Sequence, residues 1–403
     1  MNPIEQLNKQ GEVVEDFDQP LQPKQIRELL SSVLGEGLSL ESTEGRHNLP
    51  VYHRNDGRRV LLLTRSITYL GHPHPTFKKR IQLPTFFKET ALKHQDDPTT
   101  DVCYLGVYAY QDVRLFVAFD TSGYIQGKSH NSSAHVYTND LYQALLHGTF
   151  QKEDANGNLI RVVAPEHLAD LLNGTPLQNN PALEVFHRFN HEFIFNQELT
   201  AQEAITQMKS NGWGQWRQTE WPGWYLEYRL YTFLKENHLQ ETIQYTGLAL
   251  KGDDELDFDL YFPLDRFQGD LKATDINQRE SPGNDQGNFM RSLNKHGRFW
   301  YVLYEHHTQK DLDVPNHPAT RFRVQLLREE GREDLKDDSY LRKMKYSVNF
   351  QRMMIIEVNP ANAPHILKDF HQGHQPDGSK RKPKFLINKR NIDNFVIYRY
   401  TLH

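Results

Sequence analysis

Two acidic residues and a lysine stand close together in the second half of the chain. Asp259 lies in Leu256-Asp-Phe-Asp-Leu-Tyr-Phe262, and Asp270 and Lys272 lie in Phe267-Gln-Gly-Asp-Leu-Lys-Ala-Thr274. Both segments read as strands, over 256–262 and 267–274, joined by a connection that contains a proline. Strand side chains alternate between faces. On the first strand Leu256, Phe258, Leu260 and Phe262 share one face, and Asp257, Asp259 and Tyr261 share the other. On the second, Gln268, Asp270, Lys272 and Thr274 point one way, while Gly269, Leu271 and Ala273 point the other. Once the apolar faces agree, carboxylates from two neighbouring strands converge beside a lysine. Phosphodiester hydrolysis can use that arrangement. One or two carboxylates hold a hard cation such as Mg²⁺, which keeps several waters and takes phosphate oxygens. The ion polarises the phosphate and lowers the pKa of a bound water. A lysine alongside positions that water or stabilises charge developing on the phosphoryl group. The bland alternative is an acidic hairpin at a solvent-facing sheet edge, with Lys272 in a routine salt bridge of small value.

The elements that must position these residues follow in a definite order. Trp224 to Asn237 reads as a helix, with Tyr225, Tyr228, Leu230, Phe233 and Leu234 as its apolar positions. After the two strands comes a helix near 285–296, then a strongly β-like run from Phe299 to Tyr304. Asp259 followed eleven positions later by Asp270-Leu271-Lys272 resembles the PD-(D/E)XK nuclease signature, shared by many type II restriction endonucleases. The order helix, strand, strand, helix, strand is similar to that family's core, a mixed sheet flanked by helices. The resemblance covers residues 227–305. It implies that Asp259 and Asp270 bind Mg²⁺ and that Lys272 orients or activates water. It also implies that Glu227, in Tyr225-Leu-Glu-Tyr228 of the preceding helix, assists a metal or a water. Phe258 stands where the family often has proline, and Asp270 where Glu is commoner. Asp257 shares the face of Asp259, so either is open as the first ligand.

The rest of the chain divides at Asn173-Gly-Thr-Pro-Leu-Gln-Asn-Asn-Pro181, a segment dense in turn formers. Before it, residues 1–45 read as an acidic leader and one helix, with Ile26, Leu29, Leu30, Val33 and Leu34 at helical spacing. Short β-rich runs follow at Val60–Leu63, Val102–Tyr108, Val113–Phe119 and Leu159–Val163, separated by turn residues such as Gln111-Asp112 and Asn156-Gly157. After the divide, Thr200-Ala-Gln-Glu203 fits a capping box. The expected architecture is two domains of mixed α/β (α+β) class. Residues 1–175 form a β-rich recognition domain, and residues 176–403 form a PD-(D/E)XK-like mixed sheet with a basic C-terminal extension.

Composition bounds the partners. The 403 residues are 37% hydrophobic and 11% aromatic, enough apolar surface for real cores. No apolar stretch approaches the ~20 residues needed to span a bilayer. The polar, acidic N-terminus lacks a signal-peptide pattern. With one cysteine, Cys103, the chain has no internal disulfide, and a cytoplasmic setting is the expectation. Cys103 sits in a β-like run and reads as a small buried hydrophobe. The net charge of -5 hides a gradient. Residues 331–403 carry 14 Lys and Arg against 8 Asp and Glu, and the first 330 carry 33 against 44. The late positive charge gathers in Lys380-Arg-Lys-Pro-Lys384 and Lys389-Arg390, a run suited to neutralising phosphates.

Further contacts to DNA are expected from Lys78, Lys79 and Arg80, from Lys128 and Asn131, and from Lys380, Arg381 and Lys382. The bland reading of each tract is an ordinary polar loop. His72 and His74 are poor metal candidates without other ligands, and His306-His307 read as surface. Trp213, Trp216, Trp221 and Trp224 suit core packing better than base stacking. No phosphate-binding glycine loop is present, so no nucleotide cofactor is expected. These readings converge on Mg²⁺-dependent cleavage of double-stranded DNA by a homodimer, in the manner of a restriction enzyme, with or without sensitivity to base modification. The alternatives are a repair or junction-resolving nuclease of the same core, and a nucleic-acid-binding protein without catalysis.

Overall fold

The computed structural model describes residues 3–125, 132–178, 180–247, 258–371, 373, 380–390 and 392–401. The chain separates into two compact units, Met1–Asn180 and Pro181–His403, each mixing helices and strands.

In the first unit, the β-rich runs assemble into a seven-stranded sheet. Its order is Thr149–Glu153, Leu159–Val163, Val113–Phe119, Thr100–Tyr110, Arg59–Ser66, Arg46–His53 and Leu38–Thr43. Neighbours are antiparallel except Arg59–Ser66 beside Thr100–Tyr110, which run parallel. The helix Pro23–Leu34 lays Ile26, Leu30 and Leu34 on this sheet, against a core that includes Leu62, Leu105 and Phe116. Leu29 and Val33 flank that stripe, half-buried. The leader is more structured than its acidity implies. Ile4–Leu7 and Val13–Asp16 pair as an antiparallel hairpin. The tract around Lys79, expected as a polar loop, is a strand, Lys78–Leu83, whose alternation buries Lys79, Ile81 and Leu83.

In the second unit, the largest sheet runs Glu198–Thr200, Lys345–Val358, Phe299–Lys310, Phe267–Asp275, Leu260–Phe262, Gln244–Tyr245. Val396–Thr401 also pairs with Lys345–Val358, alongside residues 352–356, while Glu198–Thr200 pairs with residues 347–349. Phe267–Asp275 and Phe299–Lys310 are parallel. The crossover between them carries the strand Glu280–Asp285 and the helix Gln286–His296, as a parallel pair requires. Glu280–Asp285 belongs to a second, three-stranded sheet with Lys384–Asn388 and Leu367–Phe370.

Aromatic rings fill both faces of the central strands. Phe289 of the crossover helix and Phe258 pack on Phe299, and Phe289 stacks on Tyr301. Phe262 and Phe267 pack on Trp300, which points to the opposite face. This corrects one expectation. Phe258 and Phe262 do not share a face, because the first strand begins only at Leu260. Residues 256 and 257 lie outside the described residues. The second strand is also buried on both sides, with Gln268 and Asp270 as covered as Phe267 and Leu271. A strand between neighbours and under a helix has no solvent-facing side.

Candidate active site

The site is built where Leu260–Phe262 and Phe267–Asp275 pair antiparallel, Leu260 opposite Gly269. Continued one residue, that register sets Asp259 against Asp270. The backbone N–H of Asp259 donates to Asp270 Oδ1 at 3.3 Å, and the N–H of Leu271 donates to Asp259 Oδ2 at 3.1 Å. Gly269, between Leu260 and the next strand, is needed for this closeness. A Cβ there would lie 2.9 Å from the Trp300 carbonyl oxygen and 2.8 Å from the Phe262 ring.

Asp270 is 2% exposed and lies between two donors. Lys272, next on the same face, pairs its ammonium with Asp270 Oδ2. Asn284 donates to the same oxygen from Nδ2 at 2.9 Å. Asn284 comes from Glu280–Asp285, where Gly283 lets the neighbouring strand approach: a Cβ would stand 2.9 Å from the Phe385 carbonyl oxygen. The helix Trp221–Glu236 brings Glu227, 8% exposed, and the Tyr245 hydroxyl donates to its Oε2.

The electrostatics show a pocket with more carboxylate than it can neutralise. Burial pushes the Glu227 carboxyl up to about 7, helped by Asp270 and opposed by the Tyr245 hydrogen bond and by Lys272. Burial, then the charges of Asp270 and Glu227, hold the Asp259 carboxyl well above the usual carboxylate range. Burial pulls the Lys272 ammonium down, but Asp270, Asp259 and Glu227 together raise it above its ordinary value. Tyr301, beside Asp270 in the parallel register, has its phenol pushed far up by burial and by that carboxylate. Among the described residues, no group of three or more His, Cys, Asp and Glu side chains is disposed as a metal cage. The donor set nevertheless suits a hard cation of the Mg²⁺ type, which takes one or two carboxylates and completes its shell with water. Three carboxyl groups against one lysine leave negative charge for such an ion to offset.

Asp259, Asp270, Lys272 and Glu227 are therefore brought together, and Asp257 lies outside the described residues. Asn284, Tyr245 and Tyr301 join them without any signal in the sequence. Asn284 sits in Ser281-Pro-Gly-Asn284, which reads as a turn, and only its pairing to a distant strand brings it to Asp270.

The expected DNA contacts separate into three groups. Lys380, Arg381 and Lys382 are exposed. They lead into Lys384–Asn388, whose Lys384 pairs with Asp285, next to Asn284. Pro383 accepts a hydrogen bond from Gln286 N at 3.0 Å, which ties the basic run to the crossover helix. Lys78 and Arg80 are half-buried strand residues. Lys79 is 0% exposed and donates to the Glu5 carbonyl at 2.6 Å. Its role is to clamp the N-terminal hairpin, and its ammonium is not presented to a phosphate. Lys128 and Asn131 lie outside the described residues. Trp213, Trp216 and Trp221 are buried, as core packing requires, and His306, expected at the surface, is 0% exposed.

Residues 58–172, within the first unit, match the family model described as Methylase-associated X1. Comparison with curated proteins and with solved structures gave no match. The family match suggests an association with restriction–modification systems, and it falls entirely outside the unit that holds the carboxylate site.

Proposed function

We propose that this chain is a Mg²⁺-dependent endonuclease of restriction type, hydrolysing phosphodiester bonds in double-stranded DNA. The observation that carries the reading is the convergence of Asp259, Asp270 and Lys272 across one buried strand pair, with Glu227 beside them. The PD-(D/E)XK resemblance of these residues and the methylase-associated match in the other unit support it independently. Asp259 and Asp270 would hold the cation, which when bound polarises the scissile phosphate and acidifies a water. Lys272, kept charged by its carboxylate neighbours, directs its ammonium at charge that develops on the phosphoryl oxygens. Glu227, near half-protonation at neutral pH, can hold or release a proton at its carboxyl. Asn284 keeps Asp270 oriented. The exposed run Lys380–Lys382 leads into the strand Lys384–Asn388, whose Lys384 pairs with Asp285, and would supply contacts to the DNA backbone.

A second reading rests on the family match alone: a restriction–modification component that reads DNA without cutting it. One experiment separates the two. Purified protein is incubated with plasmid and phage DNA, methylated and unmethylated, in Mg²⁺, with EDTA and Asp270→Ala as controls. Discrete fragments that vanish in both controls are expected. No cutting of any substrate by folded protein that also binds no Mn²⁺ would leave only the second reading.

A further inference from the structure

Away from the carboxylate site, the helix Pro181–Glu192 carries His187 and His191, four residues apart and both exposed. That spacing places two side chains on one helix face. Their Nε2 atoms stand 3.1 Å apart, and the rings meet edge to face with centroids 4.5 Å apart. The edge strand Val396–Thr401 offers a phenol to each remaining ring nitrogen. Tyr398 Oη is 3.1 Å from His187 Nδ1, and Tyr400 Oη is 3.5 Å from His191 Nδ1.

The proton inventory of this group is awkward. A neutral imidazole has one donor nitrogen and one acceptor. If both Nδ1–H groups donate to tyrosine oxygens, two Nε2 lone pairs face each other across 3.1 Å. If both tyrosines donate instead, two Nε2–H groups collide. Only a mixed arrangement satisfies the group unaided, with one imidazole donating to the other. A cation held by both Nε2 atoms removes the conflict. It leaves each Nδ1–H donating to a tyrosine, the outer contact that orients metal-ligating histidines. The spacing also fits, since two adjacent ligands at ~2.0–2.1 Å from an ion stand roughly 3 Å apart.

We infer that His187 and His191 form a two-histidine chelate for a divalent transition ion of the Zn²⁺, Ni²⁺ or Cu²⁺ class, with water filling the open positions. Imidazole nitrogen suits these ions, while carboxylate oxygen suits Mg²⁺. The chelate is therefore chemically distinct from the Asp259/Asp270 pair and does not depend on the proposed nuclease activity. It ties the first helix of the second unit to the strand Val396–Thr401.

The test is Ni²⁺ titration of the full, untagged chain by calorimetry, in Mg²⁺ buffer after removal of EDTA. Co²⁺ absorption serves as the spectroscopic readout. His187→Asn, His191→Asn and His307→Asn are compared, with circular dichroism confirming the fold of each. The expected result is a site weakened at least tenfold in both of the first two variants and unchanged in the third. Wild-type affinity in the His187→Asn/His191→Asn double variant would overturn the inference, as would a wild-type chain that binds no Ni²⁺.

Discussion

Asp270 accepts from Lys272 and Asn284 at Oδ2 and from the Asp259 N–H at Oδ1, so its charge is offset while Oδ1 keeps an acceptor site for a cation. Asp259 and Glu227 are not balanced in this way. Both hold their protons more tightly than an ordinary carboxyl. Such a group costs stability as pH rises. For Glu227 the cost is absent below about 4.5, grows as pH climbs to about 7, and stays constant above. Glu227→Gln removes the charge while its amide oxygen can still accept from the Tyr245 hydroxyl. In EDTA, urea unfolding should show the variant more stable than wild type by about 3 kcal/mol at pH 8 and equal to it at pH 4. Equal stability at both pH values would mean that Glu227 is not crowded by its neighbours. A stabilising change that also slows cleavage would mark the trade between stability and activity common at functional sites. Of this cluster, Asp270 and Lys272 are legible from strand alternation, which leaves Asp257 and Asp259 open as their partner, and Glu227 only from the resemblance to the PD-(D/E)XK family. Tyr245 and Tyr301 carry no such signal. Their relevance comes from pairing across the sheet, which no local pattern encodes.

Among the elements, local patterns succeed where β-branched and aromatic residues run without a two-residue polar break. Val113–Phe119 and Leu159–Val163 stand where their β-branched and aromatic runs place them. Lys345–Val358 is the longest strand among the described residues, yet sequence reading misses it. Its Gln351-Arg352 interrupts the apolar run, and Arg352 pairs with buried Glu305 beside a register shift in the ladder. Lys79 misleads for the same reason, since its burial depends on Glu5 and Asp18, far off in sequence. The C-terminal basic run is the reverse case. Its charge is plain in sequence, but that it leads into a strand of the crossover's sheet comes only from the pairing of Lys384–Asn388 with Glu280–Asp285. Because Lys380, Arg381 and Lys382 are exposed there, replacing all three by alanine should weaken binding alike for every DNA sequence. The slope of log affinity against log salt should fall by up to about 0.9 for each phosphate that is no longer neutralised. Filter binding across a salt series measures both. A sequence-dependent loss would instead assign these residues to base recognition.

At the scale of the molecule, the match to Methylase-associated X1 and the carboxylate cluster fall in different units. That division fits a protein in which one part selects the DNA and the other cuts it. Among the described residues the chain carries one such cluster, and on the proposed nuclease reading one cluster would break one strand at a time. A break in both strands at matching positions is then made most directly by two chains related by two-fold symmetry, like the strands of the duplex they would face. The kinetics expose this. With supercoiled plasmid in Mg²⁺, linear product should form directly when protein concentration favours the dimer. Nicked circles should accumulate when the protein is diluted, and the rate of linearisation should rise with the square of protein concentration below the dimerisation midpoint. Sedimentation at the same concentrations locates that midpoint. Direct linearisation by a chain that sediments as a monomer throughout would require two successive cuts by one site, and the symmetric pairing would then be wrong even though the carboxylate chemistry stood.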